Sequence, residues 1–311
     1  MFLIFDTETT GLPKRWDAPI SDINNWPRVV QLAWQLHEDN GVLISNKSYL
    51  IKPTDFDIPF ESEKVHGIST MLASQNGVDI QTVLDEFLKD LKSCEYIVGH
   101  NLKFDINVVA SELFRLDIEN QLLNKVVLDT CTENTANVCK LPGGKSGKFK
   151  FPTLVELYEN LFKNKFENAH NASADVEANA MVFFELIRQK LFDPSLIQDF
   201  ENIHTKVSGT FSIQVSTFGI NHIDLKAESK KLKEQNQTDK LNTDDLANNN
   251  STSDYVHLHN NSQFSVLQST TKISDLVKKT AEYKMNAVAL TDKANMMGCF
   301  HFYKAVKNYN D

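Results

Sequence analysis

Two apolar rhythms alternate between Met1 and about Arg188, and that alternation restricts the chain to a sheet with helices packed on it. The runs Phe2–Phe5, Val29–Leu36, Val42–Ile51, Tyr96–Val98 and Val126–Leu128 are rich in β-branched and aromatic residues and are bounded by polar or turn residues, as strands require. Between and after them, Val83/Leu84/Phe87/Leu88/Leu91, Ile106/Val109/Ala110/Leu113/Phe114 and Val176/Ala180/Phe183/Phe184/Ile187 repeat at spacings near three and four, the pattern of an amphipathic helix. Three strands in succession, then helix and strand by turns, predict an α/β fold: a mixed sheet flanked by helices.

The first strand ends in Phe5-Asp6-Thr7-Glu8-Thr9-Thr10-Gly11-Leu12. Residues two apart in an extended chain point to one side, so Asp6 and Glu8 can share a cation, and two carboxylates suit Mg²⁺ or Mn²⁺. Taken alone, the pair is equally an acidic turn after an edge strand. A second acid, Asp105, follows Gly99-His100-Asn101-Leu102-Lys103-Phe104 and falls in the first turn of a predicted helix; there a carboxylate gains about 0.3–1 kcal/mol from the helix N-terminus whatever else it does. A third, Asp175, follows His170-Asn171-Ala172-Ser173-Ala174 at the start of the last strong helix, where a surface His beside a helix-start Asp is the plain alternative. Each plain reading stands by itself; all three in this order, at these boundaries, form a composite motif.

Over about residues 1–190 the chain resembles the DnaQ-like, or DEDDh, 3′→5′ exonucleases. Asp6, Glu8, Asp105, His170 and Asp175 match that family's pattern one by one, and Thr-Thr-Gly-Leu, Val65-His66-Gly67-Ile68 and His100-Asn101 match it too. The resemblance implies a ribonuclease H-like fold and release of nucleoside monophosphates from DNA 3′ ends, as in proofreading. A phosphodiester is anionic, so a carboxylate cluster repels it unless cations intervene; two divalent cations, Mg²⁺ or Mn²⁺, held by Asp6, Glu8, Asp105 and Asp175 meet that need. His170, with an unperturbed pKa near 6.5, is then the proton acceptor. By resemblance, Thr9, Gly11 and Leu12 meet the terminal nucleotide, with His66 and Asn101 in the same cleft.

The formal net charge of −9 argues against a chain that coats nucleic acid by its own field, so contact with DNA must be local or carried by cations. The basic run Leu141–Lys148 lacks the first glycine of a nucleotide-binding loop, Cys139 standing there, and reads as a solvated loop. Trp16, Trp26 and Trp34 offer stacking surfaces in principle but read first as packing residues. Cys94, Cys131, Cys139 and Cys299 show neither a Cys-x-x-Cys pair nor a disulfide spacing, which fits a reduced, cytoplasmic protein. The opening apolar run is too short for a signal peptide, and no stretch reaches the roughly 20 apolar residues of a membrane helix.

The polar run Lys226–Asp254 predicts a flexible linker, so that the chain reads as an exonuclease domain over 1–190, an extension and linker over 191–253, and a further segment over 254–311. That segment predicts strand, helix and strand at Tyr255–Leu258, Ile273–Tyr283 and Ala287–Leu290. Through Tyr255–Ser265, Thr291–Asn295 and Phe300–Lys304 it resembles the opening of the PHP (polymerase and histidinol phosphatase) domain of bacterial DNA polymerase III alpha subunits. The expected piece is a partial PHP-like βαβ segment at the front of a longer polymerase, with other replisome subunits as partners. Where that family uses a second His and a last His as metal ligands, this chain has Asn261 and Lys293, poor and non-ligating respectively, so a metal site there is not expected. Two other readings remain open at this level: an exoribonuclease of the same fold, and a non-catalytic DNA-end binding module. A PHP-type phosphoesterase fits least.

Overall fold

The structure is a computed structural model that describes residues 1–166, 171–235, 256–265, 269–283, 285–293 and 296–310. It divides into two compact units, one up to residue 236 and the other from residue 237.

The first unit is built on a five-stranded sheet in the order β3-β2-β1-β4-β5. The strands are β1 (Phe2–Thr9), β2 (Val29–His37), β3 (Leu43–Leu50), β4 (Tyr96–Gly99) and β5 (Val126–Asp129), and all five fall on the predicted runs. β1 lies in the middle, antiparallel to β2 and parallel to β4, so its acidic end does not belong to an edge strand. Its alternation sorts the two layers. Phe2 and Ile4 face α7 (Ala172–Arg188), whereas Leu3 and Phe5 face α3 (Ile80–Ser93) and α4 (Lys103–Arg115). Phe2 alone meets the rings of Tyr96, Phe183 and Phe184 at centroid separations of 5.1, 5.1 and 5.9 Å. Each side chain buried this fully contributes about 1.5–3 kcal/mol, so the centre of the sheet is its most strongly held part. On the α4 side, buried Glu112 accepts from the Val29 amide at 3.0 Å and from Arg28 at 2.9 Å, fixing α4 against the start of β2. The mixed sheet clad in helices agrees with the ribonuclease H-like expectation.

Pairing between β1 and β4 ends at Ile4 and Val98, and a register irregularity follows between Glu8 and Thr9 on the β2 side. The last residues of β1 therefore run beyond β4, carrying Asp6 and Glu8 into a notch where α4 begins.

Helices too short to show a period were not foreseen. Among them are α1 (Phe60–His66) and α2 (Thr70–Asn76), with Gly67 at φ 80 ending α1 and Ser69 capping α2. The others are α5 (Glu133–Cys139), α6 (Leu154–Phe162) and α8 (Phe200–Thr210). The stretch 192–218 completes the first unit, since Phe200, Ile203, Val207 and Val215 all enter the layer beneath α7. The linker reading needs correction at its start. Residues 225–235 form a helix, α9, because Leu225 and Leu232, seven apart, reach the cluster of Val30, Ile58, Ile68 and Leu72. The rest of the expected linker, 236–254, lies outside the described residues.

In the second unit the two predicted strands reduce, among the described residues, to one parallel bridge between His257 and Val288; Tyr255 lies outside those residues. The expected helix is present as α10 (Ile273–Glu282), and α11 (Met297–Asn310) adds a helix that the sequence reading left unassigned. No helix among the described residues is long and apolar enough to cross a membrane.

Candidate active site

Carboxylate oxygens of Asp6, Glu8 and Asp175 all lie within 4.8 Å of one another, and among the described residues this is the one such group of His, Cys, Asp or Glu side chains. Two come from the projecting end of β1 and the third from the first turn of α7. What brings α7 to β1 is a clamp made by Gln31, which pairs with Glu8 across the sheet. Its Oε1 accepts from the Ala172 amide at 3.1 Å, and its Nε2 donates to Asn171 Oδ1 at 3.1 Å. Asn171 in turn caps α7 by accepting from the Ser173 amide at 3.1 Å. The helix start is thus bolted to the strand that faces the acids.

Asp105 arrives from the opposite layer. The Thr7 amide, beyond the reach of β4, donates to Asp105 Oδ1 at 3.0 Å, and the Thr7 hydroxyl donates to the same oxygen at 2.6 Å. The turn leading into α4 is held by Asp129 at the end of β5, which accepts from the amides of Asn101 and Leu102 at 2.9 Å each and of Cys131 at 2.7 Å. Asn101 occupies the left-handed region at φ 60, a conformation that Asn tolerates better than most residues.

The electrostatics follow from crowding. Burial first, then Asp105, Asp175 and Glu8, hold the Asp6 carboxyl far above the usual carboxylate range. Burial, with Asp175 and Asp105 behind it, pushes Glu8 to about 8, against a partial opposing effect of the Lys226 ammonium. Asp105 is pushed up to about 7 by burial, with the two Thr7 hydrogen bonds pulling the other way and Asp129 adding to the rise. With Asp175 beside them, Asp6, Glu8 and Asp105 keep protons towards neutral pH unless cations take their place. An all-oxygen donor set of this kind fits hard divalent ions.

The other sequence-nominated residues are distributed around this cluster. The Thr9 hydroxyl donates to the Gly11 carbonyl at 2.7 Å, and Gly11 stands at φ 144, where a side chain is disfavoured. Leu12 is 73% exposed, so the loop presents an apolar tip to solvent. A Cβ on Gly11 would lie 3.9 Å from Ser62 Oγ, which puts this loop beside α1. His66, at the end of α1, is buried, with Nδ1 accepting from the Ile68 amide at 3.1 Å. His170 lies outside the described residues. Trp26 and Trp34 are core residues, whereas Trp16 is exposed and sits 5.8 Å from the ring of Phe104, next to Asp105. In the Leu141–Lys148 loop, Lys148 pairs with Glu133 at 2.7 Å. Sequence reasoning missed Gln31, Thr7, Asp129 and Asn171, whose roles rest on partners distant in the chain. It also missed Lys226.

Residues 3–183 match the family described as Exonuclease, and residues 257–310 match the PHP domain. The 3′-5′ exonuclease DinG of Bacillus subtilis is 31% identical over 189 residues, covering 60% of this chain and 18% of that protein. The DNA polymerase III subunit epsilon of Rickettsia conorii is 28% identical over 192 residues, covering 61% of this chain and 76% of that protein. At the other end, the DNA polymerase III subunit alpha of Aquifex aeolicus is 50% identical over 54 residues, 17% of this chain and 5% of that protein. The chain therefore spans only small parts of the DinG and alpha-subunit relatives. A solved structure of exonuclease I covers 66% of this chain and 43% of its own at a TM-score of 0.49 and 21% identity. Because the match runs over more than half of the chain and includes Asp6, Glu8, Asp105 and Asp175, this chain belongs to the 3′→5′ exonuclease family, whose members depend on divalent metal, and carries a PHP domain segment after it.

Proposed function

We propose that this chain releases nucleoside monophosphates from the 3′ ends of single-stranded DNA and edits ends for a replicative polymerase. The observation that carries the reading is the meeting of Asp6, Glu8 and Asp175 within 4.8 Å, with Asp105 brought to the same notch from the other side of the sheet. Asp6, Glu8 and Asp175 would hold one divalent cation, and Asp105 together with Asp6 a second, Mg²⁺ or Mn²⁺ being suited to both. When bound, the cations supply the positive charge that activates the attacking water and stabilises the departing 3′ oxygen.

The protein's own groups do the rest. Glu8 and Asp6 on adjacent same-side positions of a rigid central strand hold their oxygens in fixed separation, and the Gln31–Asn171 clamp keeps Asp175 from drifting away when the acids lose their protons. Thr7 anchors one Asp105 oxygen and leaves the other for ligation. His170, one residue before the cap of α7, accepts the proton of the attacking water. The Thr9–Leu12 loop, His66 and Asn101 receive the terminal nucleotide, Leu12 against its base.

DNA is favoured over RNA by the company of the PHP segment and by the epsilon and alpha relatives, which also motivate a place beside other replisome subunits in the cytoplasm. The test is incubation with 3′- and 5′-labelled single strands of DNA and RNA, with Mg²⁺, with Mn²⁺ and with chelator. Mononucleotides should leave the DNA 3′ end only when metal is present. Preferential attack on RNA would transfer the chain to the exoribonuclease reading, and binding of ends without release in any metal would make it a non-catalytic module.

A further inference from the structure

The stretch that follows α8 is laced back across the first unit towards the acids. The Val215 amide donates to Glu185 at 3.1 Å, and the Phe218 amide donates to Glu177 at 2.7 Å. His222 is gripped on both ring nitrogens, by Glu177 at 2.6 Å and by Ser173 at 3.0 Å, two residues from Asp175. Asn171, the cap of α7, donates to the Ile223 carbonyl at 2.9 Å. α9 then starts under its own cap, Asp224 accepting from the Ala227 amide at 3.0 Å. Ser229 donates to the Gly67 carbonyl at 2.6 Å and accepts from the Ser69 amide at 3.1 Å, while Lys233 pairs with Glu63.

These bonds press Lys226 onto the loop after α1. A Cβ on Gly67 would stand 2.9 Å from the Lys226 amide nitrogen and nearer still to its Cγ, so only glycine admits the helix this closely. The Lys226 side chain is nevertheless exposed. Its neighbours on α9 are each spoken for: Lys230 pairs with Glu234, Lys231 with Glu228 and Lys233 with Glu63. Lys226 forms no ion pair within 4.0 Å among the described residues, and its charge acts instead on Glu8. A cation thus stands beside the turn that follows His66, near enough for its charge to reach Glu8, on a backbone fixed by at least four contacts to other segments.

We infer that Lys226 is a substrate-binding residue, its ammonium receiving a backbone phosphate of the strand whose 3′ end enters the Asp6–Glu8–Asp175 cluster. This inference rests on the nuclease reading of that cluster. A compact ammonium on a flexible stem meets a phosphate in many orientations and is blind to the base, which suits a site that must accept any sequence. It also places a fixed positive charge where a strongly acidic chain would otherwise repel the strand before cations screen it.

The test uses the full chain with Lys226→Ala, Lys226→Arg and Lys226→Glu. Anisotropy of a fluorescent oligothymidylate is measured in Ca²⁺ across a KCl series, alongside mononucleotide release in Mg²⁺. Lys226→Ala should weaken binding several-fold, raise KM more than it lowers kcat, and reduce the log–log salt slope by about 0.7, the share of one phosphate contact to a single strand. Lys226→Arg should restore the slope and Lys226→Glu should weaken binding further. Unchanged affinity and slope in Lys226→Ala overturn the inference. So does an equal loss in Lys226→Arg accompanied by a lower melting temperature, which would assign Lys226 to packing. A wild-type chain that binds but releases nothing defeats the nuclease reading instead, and the salt slopes still decide Lys226.

Discussion

At the scale of single residues, the decisive fact is that Asp6, Glu8 and Asp105 are held against their own charge. Glu8 moves from an ordinary 4.5 to about 8, and Asp105 from 3.8 to about 7. Between those limits the folded chain keeps protons that the unfolded chain has released, so stability falls as pH rises. In chelator the melting temperature should therefore decline from about pH 4.5 towards pH 8, and added Mg²⁺ or Mn²⁺ should flatten the decline by replacing the protons. A metal-free melting curve that is level or rising across this window would contradict the crowding described for the cluster. The same repulsion predicts that Asp6→Asn and Asp105→Asn, measured separately, abolish nucleotide release yet melt no lower than wild type in chelator. Near-wild-type release in both variants would remove these acids from the reaction. For His170 the expectation is kinetic: His170→Ala should lower turnover by about 10²–10⁴-fold, the range of a lost acid–base group, with metal affinity little changed. Full activity with an unaltered pH profile would exclude it as the proton acceptor.

At the scale of elements, the site depends on one strand outrunning another and on one segment returning to it. Because β1 continues past the last β4 pair, the Thr7 amide is left over, and Asp105 takes it up. α9 closes the far side through Leu225 and Ser229. A chain ended after residue 236 should keep its nuclease activity, whereas one ended after residue 224 should bind DNA more weakly and melt lower. The loss is on the order of 2–4 kcal/mol for one buried leucine and two hydrogen bonds. That corresponds to several degrees in a domain of this size, and equal melting temperatures for the two truncations would show that α9 is not part of the fold. Much of this was legible beforehand. The five strands and the long helices announce themselves through period, and Asp6 and Glu8 through the two-residue alternation of β1. Asp105 and Asp175 were legible because each sits in the first turn of a helix whose apolar stripe is long. The seven-residue α1 and α2 carry too few apolar positions to show a period, and α9 has only Leu225 and Leu232 for its buried face. Gln31 and Asn171 are separated by 140 residues, and no local pattern announces a hydrogen bond of that reach.

At the scale of the whole molecule, two units with different chemistry share one chain, and the question is how many metal centres they provide. The second unit matches the PHP domain at residues 257–310, yet its carboxylate is already occupied. Asp292 accepts from the Ser262 amide at 2.6 Å, the Ser262 hydroxyl at 2.7 Å and the Ser265 hydroxyl at 2.8 Å. Burial alone would raise its pKa, but these three donors outweigh burial and hold the carboxyl below its ordinary value. A carboxylate satisfied by hydroxyls and an amide gains less from a cation than one facing other acids. Beside it, His259 shares its Nδ1 with the Thr291 hydroxyl at 3.1 Å, and Asn261 and Lys293 stand where the resemblance called for histidines. The two units should accordingly differ in metal demand. In the full chain, Asp6→Asn combined with Asp105→Asn should reduce tightly bound Mn²⁺ to a small fraction of an equivalent after dialysis. Zn²⁺ offered to the same variant should leave no stoichiometric metal either, because among the described residues the second unit gathers no group of three or more His, Cys, Asp or Glu side chains. Elemental analysis of the dialysed variant decides the matter. One retained equivalent of either metal would give the PHP segment a working centre of its own, and Ser262 and Ser265 would then be read as groups that yield Asp292 when the ion arrives.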